Sequence, residues 1–181
     1  MAVHATGGDR LNSLVQTNAG APADAVRGTL SRNPAGDDNA LTFTAVAYGA
    51  GGNSITVAYV DPGAPSQALA IVVAGNAITA NLATNGGSAI ISTAAEVKAA
   101  VEASGAAAAL VTVAIDATDT GIADDGSGVV PALASAALSG GAGTAIGAMV
   151  KGGLMIDTAN GNVYKNTGTQ AVPAWTQLAP V

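Results

Sequence analysis

Residues 41–60, LTFTAVAYGAGGNSITVAYV, decide how this chain reads. Leu41, Phe43, Ala45 and Ala47 alternate with Thr42, Thr44, Val46 and Tyr48. After a glycine-rich break, Ile55, Val57 and Tyr59 alternate again with their neighbours. Successive strand side chains point to opposite faces, so this period of two predicts two strands with one buried face each. Residues 68–74 form a short apolar run, and Gly75-Asn76 predicts a two-residue hairpin turn into AITANLA (77–83). The four strands are expected to lie antiparallel in sequence order.

Beyond them the period changes. Thr93 and Glu96 stand in capping-box spacing ahead of AAEVKAAVEAS (94–104). Ala94, Val97, Ala100 and Val101 then line one helical face, and Gly105 is placed to cap the C-terminus. ALVTVAI (109–115) predicts a further strand, and PALASAALSGG (131–141) fits a strand or a short helix. The expected class is α+β, mainly β: an antiparallel sheet or sandwich domain over residues 40–143 with one packed helix.

The flanks are written differently. Residues 1–39 hold one possible helical turn, LNSLVQ, among segments rich in Gly, Pro, Asn and Asp. Such a segment cannot bury enough apolar surface alone to offset its ordering entropy, so it is either a floppy tail or an extended arm that becomes ordered against a neighbour. Residues 144–181 predict a C-terminal β-hairpin, with 154–157 and 163–166 flanking an Asn160-Gly161 type I′ turn. An isolated hairpin is marginal in water, so Met155, Tyr164 and Trp175 are expected to be covered either by the central domain or by other copies of the chain, as oligomer or tip contacts.

The chain has 181 residues, enough for one principal domain, and no cysteine, which excludes disulfides and thiolate chemistry. Only 3% of residues are aromatic and 10% charged, and no apolar run reaches the ~20 residues of a membrane span. The start, MAVHATGGDRLNS, lacks the charged-then-apolar pattern of an export signal, so a product of the cytoplasm is expected. Net charge is −6, and between Asn39 and Ala145 Lys98 is the only base. That surface repels phosphate backbones, which argues against nucleic-acid binding.

Residues for catalysis are scarce. His4 is the only histidine and lies in the irregular N-terminus, where it reads as neither base nor ligand; without cysteine no Cys-His pair can form, and a His/Cys zinc site lacks its ligands. Glu96 and Glu102 point in different directions on the expected helix and read as a solvated face. Asp116, Asp119, Asp124 and Asp125, in DATDTGIADDGSG, offer the oxygen ligands calcium uses, without EF-hand spacing or a closing glutamate. An acidic solvent loop is the stronger reading of them. The chain is therefore expected to be no enzyme and to carry no cofactor.

Four pieces in order carry a resemblance: LTFTAVAYGAGGNSITVAYVDPG, ALAIVVAGNAITANLAT, ISTAAEVKAAVEASGAAAALVTVA and ALASAALSGGAG. Residues 40–143 resemble a module that recurs in virion structural proteins of tailed bacteriophages, including capsid-decorating and tail proteins. KGGLMIDTANGNVYKNTGTQAVPAWTQL (151–178) is similar to short hairpin segments of the form G-x-x-Y-x-N-T-G-T…P-x-W in phage head and tail fibres. The resemblance implies a non-enzymatic virion component with no catalytic residues to carry over. The leading expectation is a cement or head-fibre protein on the capsid exterior, a trimer bound to the major capsid protein. Arg10, Arg27 and Arg32, half of the six bases, lie in the arm and would anchor it together with Leu11, Leu14, Val15 and Leu30. A tail component is the alternative. A third reading, a carbohydrate-binding module, would use Tyr164 and Trp175 as a stacking platform.

Overall fold

A computed structural model of the chain describes residues 15–18, 25–116, 125–143, 151–169 and 172–178, with 15–18 as backbone only. In chain order the elements are β1 (Val15–Asn18), β2 (Arg27–Arg32), β3 (Leu41–Tyr48), β4 (Thr56–Val60), β5 (Ala70–Ala74), β6 (Ala77–Asn81), α1 (Ala94–Ala103), α2 (Gly105–Ala108), β7 (Val111–Ile115), β8 (Leu133–Ala137), β9 (Leu154–Asp157), β10 (Val163–Asn166) and β11 (Trp175–Gln177). The class is α+β, mainly β. Backbone contacts divide the chain into two compact units. One comprises Arg27–Ala47 and Gly51–Gly141; the other comprises Met1–Val26, Tyr48–Ala50 and Ala142–Val181.

The larger unit holds two sheets, ordered β2-β3-β7 and β5-β6-β4-β8. Leu41, Phe43 and Ala45 of β3 face inward, as their alternation predicts, but the buried face stops there and Ala47 is exposed. Val57 and Tyr59 of β4, Ile78 and Ala80 of β6, Val111 and Val113 of β7 and Val97 and Val101 of α1 complete the same core. Each large aliphatic or aromatic side chain so buried contributes about 1.5–3 kcal/mol.

Pairing departs from the expected antiparallel order. β3 pairs with β7, Leu41 opposite Ile115 and Ala45 opposite Val111, rather than with β4. β4 lies between β6, to which it is parallel, and β8, to which it is antiparallel. Alternation fixes which face of a strand is buried and leaves the neighbour open; here the 3-10 turn Ala50–Ser54 carries the chain between sheets, and residues 61–69 carry it across one. The β5–β6 hairpin is as expected, closing at Ala74 opposite Ala77 with Gly75 at φ 58°.

The capping box of α1 is present in both directions. Glu96 N donates to Thr93 Oγ1 at 3.3 Å, and Thr93 N donates to Glu96 Oε2 at 2.9 Å. The helix does not end on Gly105. Ser104, in extended conformation, closes α1 and opens α2, its hydroxyl accepting from Ala107 N. A second short helix thus takes the place of a left-handed cap. The 131–141 segment resolves as the strand β8.

The 1–39 arm is also shorter than its composition predicts. β2 is a strand of the larger unit, with Gly28 buried and Leu30 packed against the core. RGTLSR (27–32) has too few apolar positions to show a period, and it becomes a strand because β3 offers a partner edge.

Candidate functional site

Four groups of residues qualify for examination. In the acidic stretch, Asp116 accepts hydrogen bonds from Ser31 Oγ at 3.3 Å and Thr42 Oγ1 at 3.2 Å. Asp125 accepts from Ser127 N at 2.9 Å. The Ser127 side chain, and after it the Ser127 backbone N–H, hold the Asp125 carboxyl below the usual carboxylate range. Asp119 and Asp124 lie outside the described residues. Among the described residues no group of three or more potential metal ligands assembles. Glu96 is engaged as a cap, and Glu102 pairs with Lys98 at 2.7 Å one turn away.

Of the arm residues, Arg10, Leu11 and Leu14 lie outside the described residues, as does the side chain of Val15, whose backbone belongs to β1. Leu30 and Arg32 are engaged within the larger unit rather than presented as anchors. Arg32 Nη2 donates to the carbonyl oxygens of Val57 and Ala134, and its guanidinium carbon sits 5.9 Å from the centre of the Tyr59 ring. Arg27 is half-buried on the same strand. Strand formation by β2 withdraws these side chains from the arm.

The third group lies in the smaller unit, where the sheet runs β1-β9-β10-β11. β9 and β10 form the expected hairpin, Met155 opposite Tyr164. Its turn differs from type I′, since Gly161 has φ 73° while Asn160 keeps a negative φ. Asp157 organises the turn instead, accepting from Ala159 N and Asn160 N through Oδ1 and from Asn160 Nδ2 through Oδ2. β1 joins parallel to β9, with Val15 opposite Leu154.

Register places Met155, Asp157, Tyr164, Asn166 and Trp175 on one face of this sheet. Met155, Asp157 and Asn166 are fully buried, Tyr164 is 9% exposed and Trp175 is half-buried. Met155 and Tyr164 are therefore covered within the chain itself, and Trp175 is covered in part. Leu154, Ile156, Val163, Lys165 and Thr176 occupy the opposite face, of which Ile156 is 38% exposed. The hairpin reads as isolated in sequence because β1, which completes its sheet, comes from the other end of the chain.

Asn166 and Gly168 explain the C-terminal NTG segment. Asn166 Oδ1 accepts from Gly168 N at 3.0 Å and Ala174 N at 3.1 Å. A Cβ on Gly168 would collide with the Val172 carbonyl and the Ala174 backbone nitrogen, so only glycine fits. Asp157 and Asn166 had a local signal, Asx residues followed closely by glycine, which favours side-chain-capped turns. The fourth group is the edge strand β5, whose exposed Val72 no motif singles out.

No family model, curated protein or solved structure matches the chain. Among the described residues, no helix is long and apolar enough to cross a membrane.

Proposed function

We propose that the chain is a non-enzymatic structural component of a tailed-bacteriophage virion: a decoration protein that binds the major capsid protein on the outside of the shell and stabilises the lattice as a homo-oligomer. The observation that carries this reading is the part played by the C-terminal segment's own residues. Asn166, Gly168 and Trp175, on which its similarity to phage fibre hairpins rests, build its turn and its outermost strand. The similarity thus falls on positions the fold needs rather than on incidental composition. The ordered resemblance of residues 40–143 to the virion module points the same way, as does a mainly β domain built from small side chains. Such thin domains suit assemblies in which many copies brace one another.

The anchoring role falls on residues 1–14, with Arg10, Leu11 and Leu14, since Leu30 and Arg32 are engaged in the larger unit and Val15–Asn18 in the smaller one. The experiment is localisation and attachment together. Purified protein is mixed with shells of the major capsid protein of the same phage and sedimented, and its position on intact particles is found by electron microscopy. Saturable co-sedimentation that is lost on deleting residues 1–14, which spares β1, with density on the capsid exterior, is the expected result. Density confined to the tail would replace this reading with the tail-component one.

A further inference from the structure

We infer that β5 is a self-association edge, at which two copies join antiparallel about a two-fold axis through Val72 to make one continuous sheet. This goes beyond the virion reading and does not depend on it. β5 is the outermost strand of the β5-β6-β4-β8 sheet, and among the described residues no strand lies beyond it. Its hairpin closes at Ala74 opposite Ala77 across a two-residue turn. In that geometry the closing pair and every second pair exchange ladder bonds. Ala70, Val72 and Ala74 therefore bond to β6, while Ile71 and Val73 turn their N–H and C=O groups outward.

Free edges are ordinarily blunted by Lys, Pro, a bulge or a covering segment. AIVVA contains neither Lys nor Pro, and it runs in register with β6 over its whole length. No Asp, Glu, Lys, Arg or His occurs between Asp61 and Glu96. Val72, at the middle of the strand, is 51% exposed.

The occupant that fits is a second copy of the same strand. Paired antiparallel about Val72, Ile71 of each copy stands opposite Val73 of the other, and Ala70 opposite Ala74. Ile71 and Val73 are the residues with outward backbone groups, so the two symmetry-related Ile71–Val73 pairs become the hydrogen-bonded ones. Val72 meets its own copy at the non-hydrogen-bonded position, where antiparallel side chains approach most closely. One register thus satisfies the free backbone and covers the exposed valine. Charge selects the same partner. Two chains of net charge −6 repel except where neither presents charge, and β5 lies in the chain's long uncharged stretch. A strongly basic partner would gain nothing from this edge.

The test uses the full chain and single substitutions. Sedimentation equilibrium of the wild type is expected to give a monomer–dimer equilibrium. Val72→Lys sets two ammonium groups against each other on the axis and is expected to raise the dissociation constant at least about tenfold. Since Val72 is exposed, its circular dichroism should match the wild type. The chain has no cysteine, so Val72→Cys supplies one thiol per copy. The Cα separation of ~4.5 Å at a non-hydrogen-bonded pair is within disulfide reach, and mild oxidation should give a covalent dimer. Val46→Cys, at an exposed position on β3, is the control and should cross-link far more slowly. A wild type that stays monomeric at every concentration overturns the inference, as does an oligomer of any size whose mass Val72→Lys leaves unchanged. Equal cross-linking rates for the two cysteine variants overturn the two-fold register.

Discussion

Arg32 Nη2 stands 2.6 Å from the carbonyl oxygen of Ala134. The same nitrogen donates to the carbonyl of Val57, so one guanidinium bridges β4 and β8. The register of those strands shifts between Val57 and Tyr59, where a bulge interrupts the ladder. Arg32 supplies donors where the interrupted ladder leaves carbonyls to satisfy, and an arginine suits this because its fork presents several N–H groups at once. Arg32→Met keeps the apolar stem and removes the donors. It should lower unfolding stability in urea by about 1–3 kcal/mol, with Arg32→Lys recovering only part. A midpoint equal to wild type would show that the bridge contributes nothing.

Tyr59 offers the opposite case. Its side chain is 2% exposed, and its hydroxyl has no hydrogen-bond partner among the described residues. Tyr59→Phe should be neutral or stabilising by about 1 kcal/mol, because a buried hydroxyl without a partner contributes desolvation cost alone. Burial raises the phenol above its ordinary value of 10.0, outweighing the pull of Arg32 in the other direction. The folded state therefore holds its proton more tightly than the unfolded chain. The associated stability is whole below pH 10.0 and falls as pH rises above it. Alkaline urea titrations should show this decline in the wild type and a smaller one in Tyr59→Phe.

Truncation separates arm from domain. A chain starting at Arg27 keeps β2, whereas one starting at Asn39 loses Leu30 and the Arg32 bridge and uncovers the edge of β3. The first should melt cooperatively. The second should melt at a lower temperature and aggregate, as read by scanning calorimetry and light scattering. Identical melting of the two would return β2 to the arm.

The strands and the helix start were legible because alternation and capping boxes are local. Leu41, Phe43 and Ala45 face the core, Gly75-Asn76 makes its turn, and Thr93 and Glu96 cap each other, all within short windows. Partners were not legible. Nothing near Leu41 specifies Ile115, and nothing in β4 distinguishes a parallel β6 from an antiparallel neighbour. Arg32 looked like an exposed anchor because sequence carries its charge and not the carbonyls around it. That β1 completes the hairpin's sheet was not legible either, because β1 comes from the other end of the chain.

Asn166 tests the C-terminal sheet. Replacing it with alanine leaves Gly168 N and Ala174 N without their acceptor in a buried setting, and should destabilise that unit by about 2–3 kcal/mol. Hydrogen exchange should speed up in residues 163–177 while β3 and β7 keep their protection. Uniform acceleration across the chain would instead mean that the two units unfold as one.

The pairing of Val15 with Leu154 ties the order of folding to the order of synthesis. With ribosomes adding roughly 5–20 residues per second, β1 emerges on the order of ten seconds before the strand it needs. The larger unit draws on the intervening sequence and can close during that interval, whereas the smaller sheet waits for β9, β10 and β11. A released chain ending at residue 153 should therefore carry a folded larger unit while β1 lacks its partner strand. The last sheet to form then depends on β9, and chains truncated before Leu154 would lack it.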